Sequence, residues 1–100
     1  MFFSKINSIS TTDLEQQLKE KKDIAILDVR EKDEFKTGHI KGAINMPLSA
    51  FDISKLKKQE YYVICASGMR SKQACNFLTK QGYDVTNVSG GMSRWHGKIV

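Results

Sequence analysis

The chain of 100 residues is long enough for one hydrophobic core and too short for two, so a single domain spanning 1–100 is expected. With 40% apolar and 27% charged residues, one proline and seven glycines, a disordered or collagen-like chain is excluded. So is a membrane span, which takes about eighteen uninterrupted apolar residues. The net charge of +5 lies entirely in the second half: residues 1–50 hold eight basic and eight acidic side chains, and residues 51–100 hold eight basic against Asp52, Glu60 and Asp84.

Ser10-Thr11-Thr12-Asp13 opens a helix in which Thr12 and Glu15 are spaced as a capping box and Leu14 and Leu18 share a face; it ends near Lys21. Ile24 to Val29 is a short continuous apolar run, as in a strand covered on both faces of a parallel sheet. Ala43 to Met46 is a second short strand, stopped by Pro47, and Ser49 caps a short helix through Leu56. Tyr61 to Ile64, filled with aromatic and β-branched residues, is the clearest strand and runs straight into Cys65. A helix follows from about Arg70, with Ala74, Phe77 and Leu78 at i, i+3 and i+4 and Gly82 as its stop. Val85 to Val88 is a last strand, and after Gly90-Gly91 the stretch Met92 to Trp95 can pack Trp95 on the domain. This alternation predicts an α/β domain with a mainly parallel central sheet and helices on both faces. Ligands then bind beyond the carboxyl ends of the strands.

Two polar segments fall there, Asp28-Val29-Arg30 and Cys65 to Ser71. If a strand precedes Cys65-Ala66-Ser67-Gly68-Met69-Arg70-Ser71 and a helix begins inside it, the loop curls over a helix N-terminus. Unpaired backbone N–H groups then favour an anion at its centre. A thiol at the mouth of this nest should ionise more readily, because the N–H groups and Arg70 stabilise the thiolate. Gly68 admits positive φ, and Arg70 offers a planar fork of donors suited to an oxyanion. A lone cysteine at a strand end would read as packing, but strand, cysteine, glycine turn, arginine and helix together read as a nucleophile site.

Other residues receive plainer readings. Cys75 lies on the edge of the apolar helix face and behaves as a small hydrophobe with no need of a resolving role. His39 and His96 are far apart and show no metal-ligand spacing, so neither metal nor cofactor is expected; His39 reads as a structural hydrogen-bonding residue. Asp28 and Arg30 read as a local ion pair bracing the site. The positive second half favours anionic small molecules or acidic surfaces. Its lysines, Lys55, Lys57, Lys58, Lys72, Lys80 and Lys98, are scattered without interleaved aromatics, so no nucleic-acid role is expected. Two cysteines outside any Cys-x-x-Cys pair, and a Met1-Phe2-Phe3-Ser4-Lys5 start without an apolar export region, place the expected location in the cytoplasm, away from membranes.

Four segments then resemble the single-domain rhodaneses, the thiosulfate sulfurtransferase-like family. They are Leu27-Asp28-Val29-Arg30-Glu31 with Glu34-Phe35, Gly38-His39-Ile40-Lys41-Gly42-Ala43-Ile44-Asn45-Met46-Pro47, the Cys65 to Ser71 loop, and Gly90-Gly91 with Trp95. The resemblance implies a rhodanese-like fold in which Cys65 accepts a sulfane sulfur as a persulfide. The sulfur comes from thiosulfate or another persulfide donor and passes to cyanide or a thiol. It also implies that the N–H groups from Ala66, Ser67, Gly68, Met69, Arg70 and Ser71 hold the persulfide and that Arg70 binds a small anionic sulfur donor. A persulfide carrier docking between protein donor and acceptor is the alternative. Related phosphatases and arsenate reductases have a loop one residue longer than the four residues between Cys65 and Arg70, which argues against oxyanion chemistry here.

Overall fold

The carboxyl ends of five parallel strands define where the chemistry can sit. In the computed structural model, which describes residues 6–21 and 23–100, β1 (Asn7–Ser10), β2 (Ile26–Asp28), β3 (Ile44–Asn45), β4 (Tyr61–Ile64) and β5 (Val85–Ser89) form one sheet in the order β1-β5-β4-β2-β3. Every pairing in it is parallel. Helices α1 (Thr11–Glu20), α2 (Lys32–Lys36) and α3 (Met69–Lys80) and 3-10 turns at Leu48–Ala50, Ile53–Lys55 and Gly91–Arg94 complete it. The Met1 to Lys5 start read above for export lies outside the described residues. No described helix is long and apolar enough to cross a membrane.

Strand alternation divides the interior into two cores. Leu27, Val29, Tyr61, Val63, Cys65 and Val85 point to one face and pack with Ala74, Cys75 and Leu78 of α3. Ile26, Ile64 and Val88 point to the other and pack with Leu14 of α1 and Ile40, where the partly buried Trp95 also rests. β2 is therefore covered on both sides, which is why it reads as a continuous apolar run.

The structure corrects several boundaries. The cap of α1 is Ser10 rather than Thr12: β1 ends there in extended backbone, and the Ser10 hydroxyl accepts the Asp13 N–H at 3.0 Å. Thr11 is already helical and donates its hydroxyl to the Arg94 carbonyl at 3.0 Å. The segment from Ser49 to Leu56 is not one helix but two 3-10 turns, because Phe51 between them is extended, and Asp52 rather than Ser49 caps the second. Phe51, Ile53 and Leu56 all reach the same core from that broken path. β1 and α2 are not apparent in the sequence pattern: the first is polar and mostly exposed, and the second is only five residues long.

A buried ion pair fixes the chain leaving β2. Arg30 Nη2 meets Asp28 Oδ2 at 2.8 Å and Arg30 Nε meets Oδ1 at 3.0 Å, with both side chains removed from solvent. The guanidinium also donates to the Glu34 carbonyl at 3.2 Å and the Gly38 carbonyl at 2.9 Å. His39, by its structural reading, places Nδ1 2.9 Å from the Phe35 carbonyl and stacks on the Phe35 ring. Asp28→Ala leaves Arg30 buried and uncompensated, so a loss of about 3 to 5 kcal/mol of unfolding free energy is expected. Urea denaturation measures it, and a loss below about 1 kcal/mol would show that the pair is dispensable.

Candidate active site

Strand β4 ends by delivering Cys65 to the α3 side of the sheet, directly beneath the start of that helix. The loop closes because Gly68, the N-cap of α3, takes φ +102° and turns its N–H back to the Cys65 Sγ at 3.0 Å. A side chain there would be strained, and its Cβ would lie 3.1 Å from the Gly90 nitrogen. The loop is buttressed from the 3-10 turn that follows β5. The Met92 N–H donates to the Cys65 carbonyl at 2.8 Å, and Ser93 donates its N–H and hydroxyl to the Ala66 carbonyl at 2.9 and 2.6 Å. That approach requires Gly91, where a Cβ would stand 2.3 Å from the Cys65 carbonyl oxygen.

The sulfur sits in a set of hydrogen-bond donors. Burial pushes the Cys65 thiol up, but the Ser71 hydroxyl and the N–H groups of Ser71, Gly68 and Ser67 outweigh it, and the thiol falls below its ordinary value. In the thiol form the Cys65 S–H donates to the Ser71 Oγ at 3.4 Å, the Ser71 hydroxyl donates to the Asn87 Oδ1 at 2.5 Å, and the Asn87 Nδ2 donates to the Gly68 carbonyl at 3.3 Å. Asn87 thus ties the serine and the glycine of the loop to β5. Cys75 has no such donors, and burial, followed by the Cys65 charge, pushes it up to about 12. Two buried cysteines are therefore driven in opposite directions.

The loop residues divide by role. Cys65, Gly68 and Ser71, with the Ser67 amide, converge on the sulfur. Met69 points outward, 74% exposed. Arg70 does not present an open fork: Nη1 and Nη2 meet Glu34 Oε1 and Oε2 at 2.6 and 2.8 Å. Hydrogen bonding to Arg70 is the main cause holding the Glu34 carboxyl down at about 2. The charge of Arg70 is strengthened chiefly by Glu34 and also by the nearby charges of Cys65 and Glu31. The excess of positive charge in the second half is therefore met at Arg70 by acidic groups of the first half, Glu31 and Glu34, brought there with α2.

Glu34 and Asn87 are the site residues that residue-by-residue reasoning did not assign. Asn87 shares its strand parity with Val85, so a polar residue on the α3-facing side of β5 was its available signal. Glu34 had only its place in a short motif after Arg30. Among the described residues no group of three or more His, Cys, Asp or Glu is assembled to hold a metal ion.

Residues 10–98 match the rhodanese-like domain family. The chain is 38% identical over 98 residues to a sulfurtransferase of Allochromatium vinosum, covering 92% of each. It is 36% identical over 84 residues to the thiosulfate sulfurtransferase GlpE of Shewanella oneidensis, covering 80% of this chain and 83% of that one. The crystal structure of a rhodanese-related protein from Thermoplasma volcanium superposes with a TM-score of 0.82 at 34% identity, covering 94% and 97% of the two chains. With the parallel sheet, the glycine-turned cysteine loop and these relatives in agreement, the chain belongs to the rhodanese-like family of sulfurtransferases and sulfur carriers.

Proposed function

We propose that this protein transfers sulfane sulfur through a persulfide on Cys65, in the reducing cytoplasm where a free thiolate persists. The observation that carries the reading is a buried thiol whose ionisation amide donors favour, inside a loop of four residues between Cys65 and Arg70. With thiosulfate, the Cys65 thiolate attacks the outer sulfur, the S–S bond breaks, and sulfite leaves with its electron pair. Cyanide or a thiolate then attacks the terminal sulfur of the persulfide, and Cys65 departs again as thiolate. No second thiol of the protein takes part. Ala66 to Ser71 line the cradle for the transferred atom, and Arg70, held by Glu34, stands at its rim.

Cys65 has no exposed surface, so a donor must part the groups above it before sulfur meets sulfur. A single terminal atom asks for less opening than a tetrahedral oxyanion. The width of the nest acts in the same direction, and sulfur transfer is favoured over phosphatase or arsenate chemistry.

Cys65→Ser should abolish sulfur transfer to cyanide while leaving the fold intact, because serine keeps the shape but not the thiolate. Intact mass after incubation with thiosulfate should show one added sulfur on the wild type and none on the variant. Turnover by a folded Cys65→Ser protein would sink the assignment.

Cys75→Ala should retain activity close to wild type, with a small packing loss. At neutral pH iodoacetamide should modify Cys65 and spare Cys75, since the first thiol is lowered and the second raised to about 12. A variant that loads Cys65 but cannot discharge it would instead make Cys75 a resolving thiol.

One glycine inserted after Gly68 should lower persulfide loading of Cys65. The native loop should show no useful turnover of an aryl phosphate or of arsenate. Phosphatase turnover comparable to sulfur transfer would place the chemistry in the other branch of this scaffold.

A further inference from the structure

The charge around the cysteine loop is set by residues far apart in sequence. Arg70 is clamped by both oxygens of Glu34, and the two side chains are 35% and 36% exposed, so the pair stands at the solvent boundary of the site. Glu34 is itself held in place. Its Oε1 accepts the Glu31 N–H at 3.0 Å in a reciprocal capping box, and its carbonyl receives Arg30. Glu31 in turn accepts the Ser49 hydroxyl at 2.5 Å. Of the charges gathered here, Arg30 is paired with Asp28 and Arg70 with Glu34, and no described cation forms a salt bridge with Glu31.

A small dianion approaching Arg70 finds its guanidinium fork already taken. It must compete with a carboxylate that is already bidentate and pre-positioned, and it meets the like charges of Glu34 and Glu31 beside it. A donor with one negative charge meets half that repulsion. Resting on the reading of Cys65 as the sulfur acceptor, we infer that Glu34 is a specificity-determining residue. By occupying Arg70 it discriminates against dianionic sulfur donors such as thiosulfate in favour of donors of the persulfide or thiosulfonate class that carry a single negative charge.

The pair of probes that isolates charge is thiosulfate and methanethiosulfonate. Each presents a terminal sulfur on an oxidised sulfur, and the two differ by one charge. With the second, the Cys65 thiolate takes the terminal sulfur, the S–S bond breaks, and methanesulfinate leaves with the electron pair. The charge count is the same on both sides. Glu34→Gln keeps a side chain able to serve the capping box but removes the charge. Because Coulomb energy scales with ligand charge, the gain for the dianion should be the square of that for the monoanion. In kcat/KM for Cys65 loading this is about tenfold for thiosulfate against about threefold for methanethiosulfonate.

A second measurement needs no variant. In the wild type, raising ionic strength should increase the use of thiosulfate relative to methanethiosulfonate, because salt screens the exposed carboxylates. An equal gain for both donors in Glu34→Gln would make the pair a mechanical gate rather than a charge filter and overturn the inference, as would a salt-independent ratio in the wild type. If intact mass shows sulfur on Cys65 from both donors but Glu34→Gln leaves their ratio unchanged, this inference fails while sulfur transfer stands. If neither donor loads Cys65, the reading of Cys65 fails and takes this inference with it.

Discussion

A buried guanidinium connects the middle of the sheet to the chemistry at its edge. Arg30 is compensated by Asp28, and its remaining donors hold the Glu34 and Gly38 carbonyls. Those contacts set the path of α2, and the capping box within α2 aims the Glu34 carboxylate at Arg70. Arg70 in turn stands at the end of the loop that carries Cys65. The Asp28–Arg30 pair therefore does more than offset its own desolvation: it fixes which groups face the cysteine loop. Replacing such a pair by apolar side chains can leave a fold stable, but nothing apolar could hold two carbonyls in those positions.

The two cysteines show how little residue type and burial decide by themselves. Both are fully buried in the same core, on adjacent elements. Burial alone raises a thiol, as it does for Cys75. Cys65 escapes because β4 releases it where the N–H groups of Ser71, Gly68 and Ser67 converge, and because Gly68 and Gly91 let backbone approach where a Cβ would collide. Reactivity here belongs to the strand-to-helix junction.

Features set by neighbours in sequence were legible. The apolar run into β2, the β-branched run into Cys65, the glycine within the loop and the packing face of α3 each follow from a local pattern. The same local reading assigned a helix to residues 49–56, where apolar spacing was satisfied by two 3-10 turns wrapped on the core. It also missed β1, an edge strand whose only partner is β5, some eighty residues later in the chain. β1 carries little apolar signal because its side chains are mostly exposed and it joins the sheet chiefly through its backbone. Asn87 and Glu34 were hidden for a related reason: each acts on the cysteine loop from another element, and only the strand order reveals the encounter.

Charge shows the same limitation most sharply. Counted along the chain, all the positive excess lies with the cysteines, and an anion-attracting site seems to follow. The sheet order places β2 beside β4, so the segment after β2, with Glu31 and Glu34, is carried to the segment after β4, with Cys65 and Arg70. Potential at a site depends on distance in space, and in a parallel sheet two adjacent strands bring their C-terminal loops together whatever their separation in sequence. A scaffold of this kind can therefore keep one nucleophile and one amide nest while its neighbouring loop changes the charge of the donor it admits. On the proposed reading, the loop after β4 carries the chemistry and the loop after β2 the choice of donor.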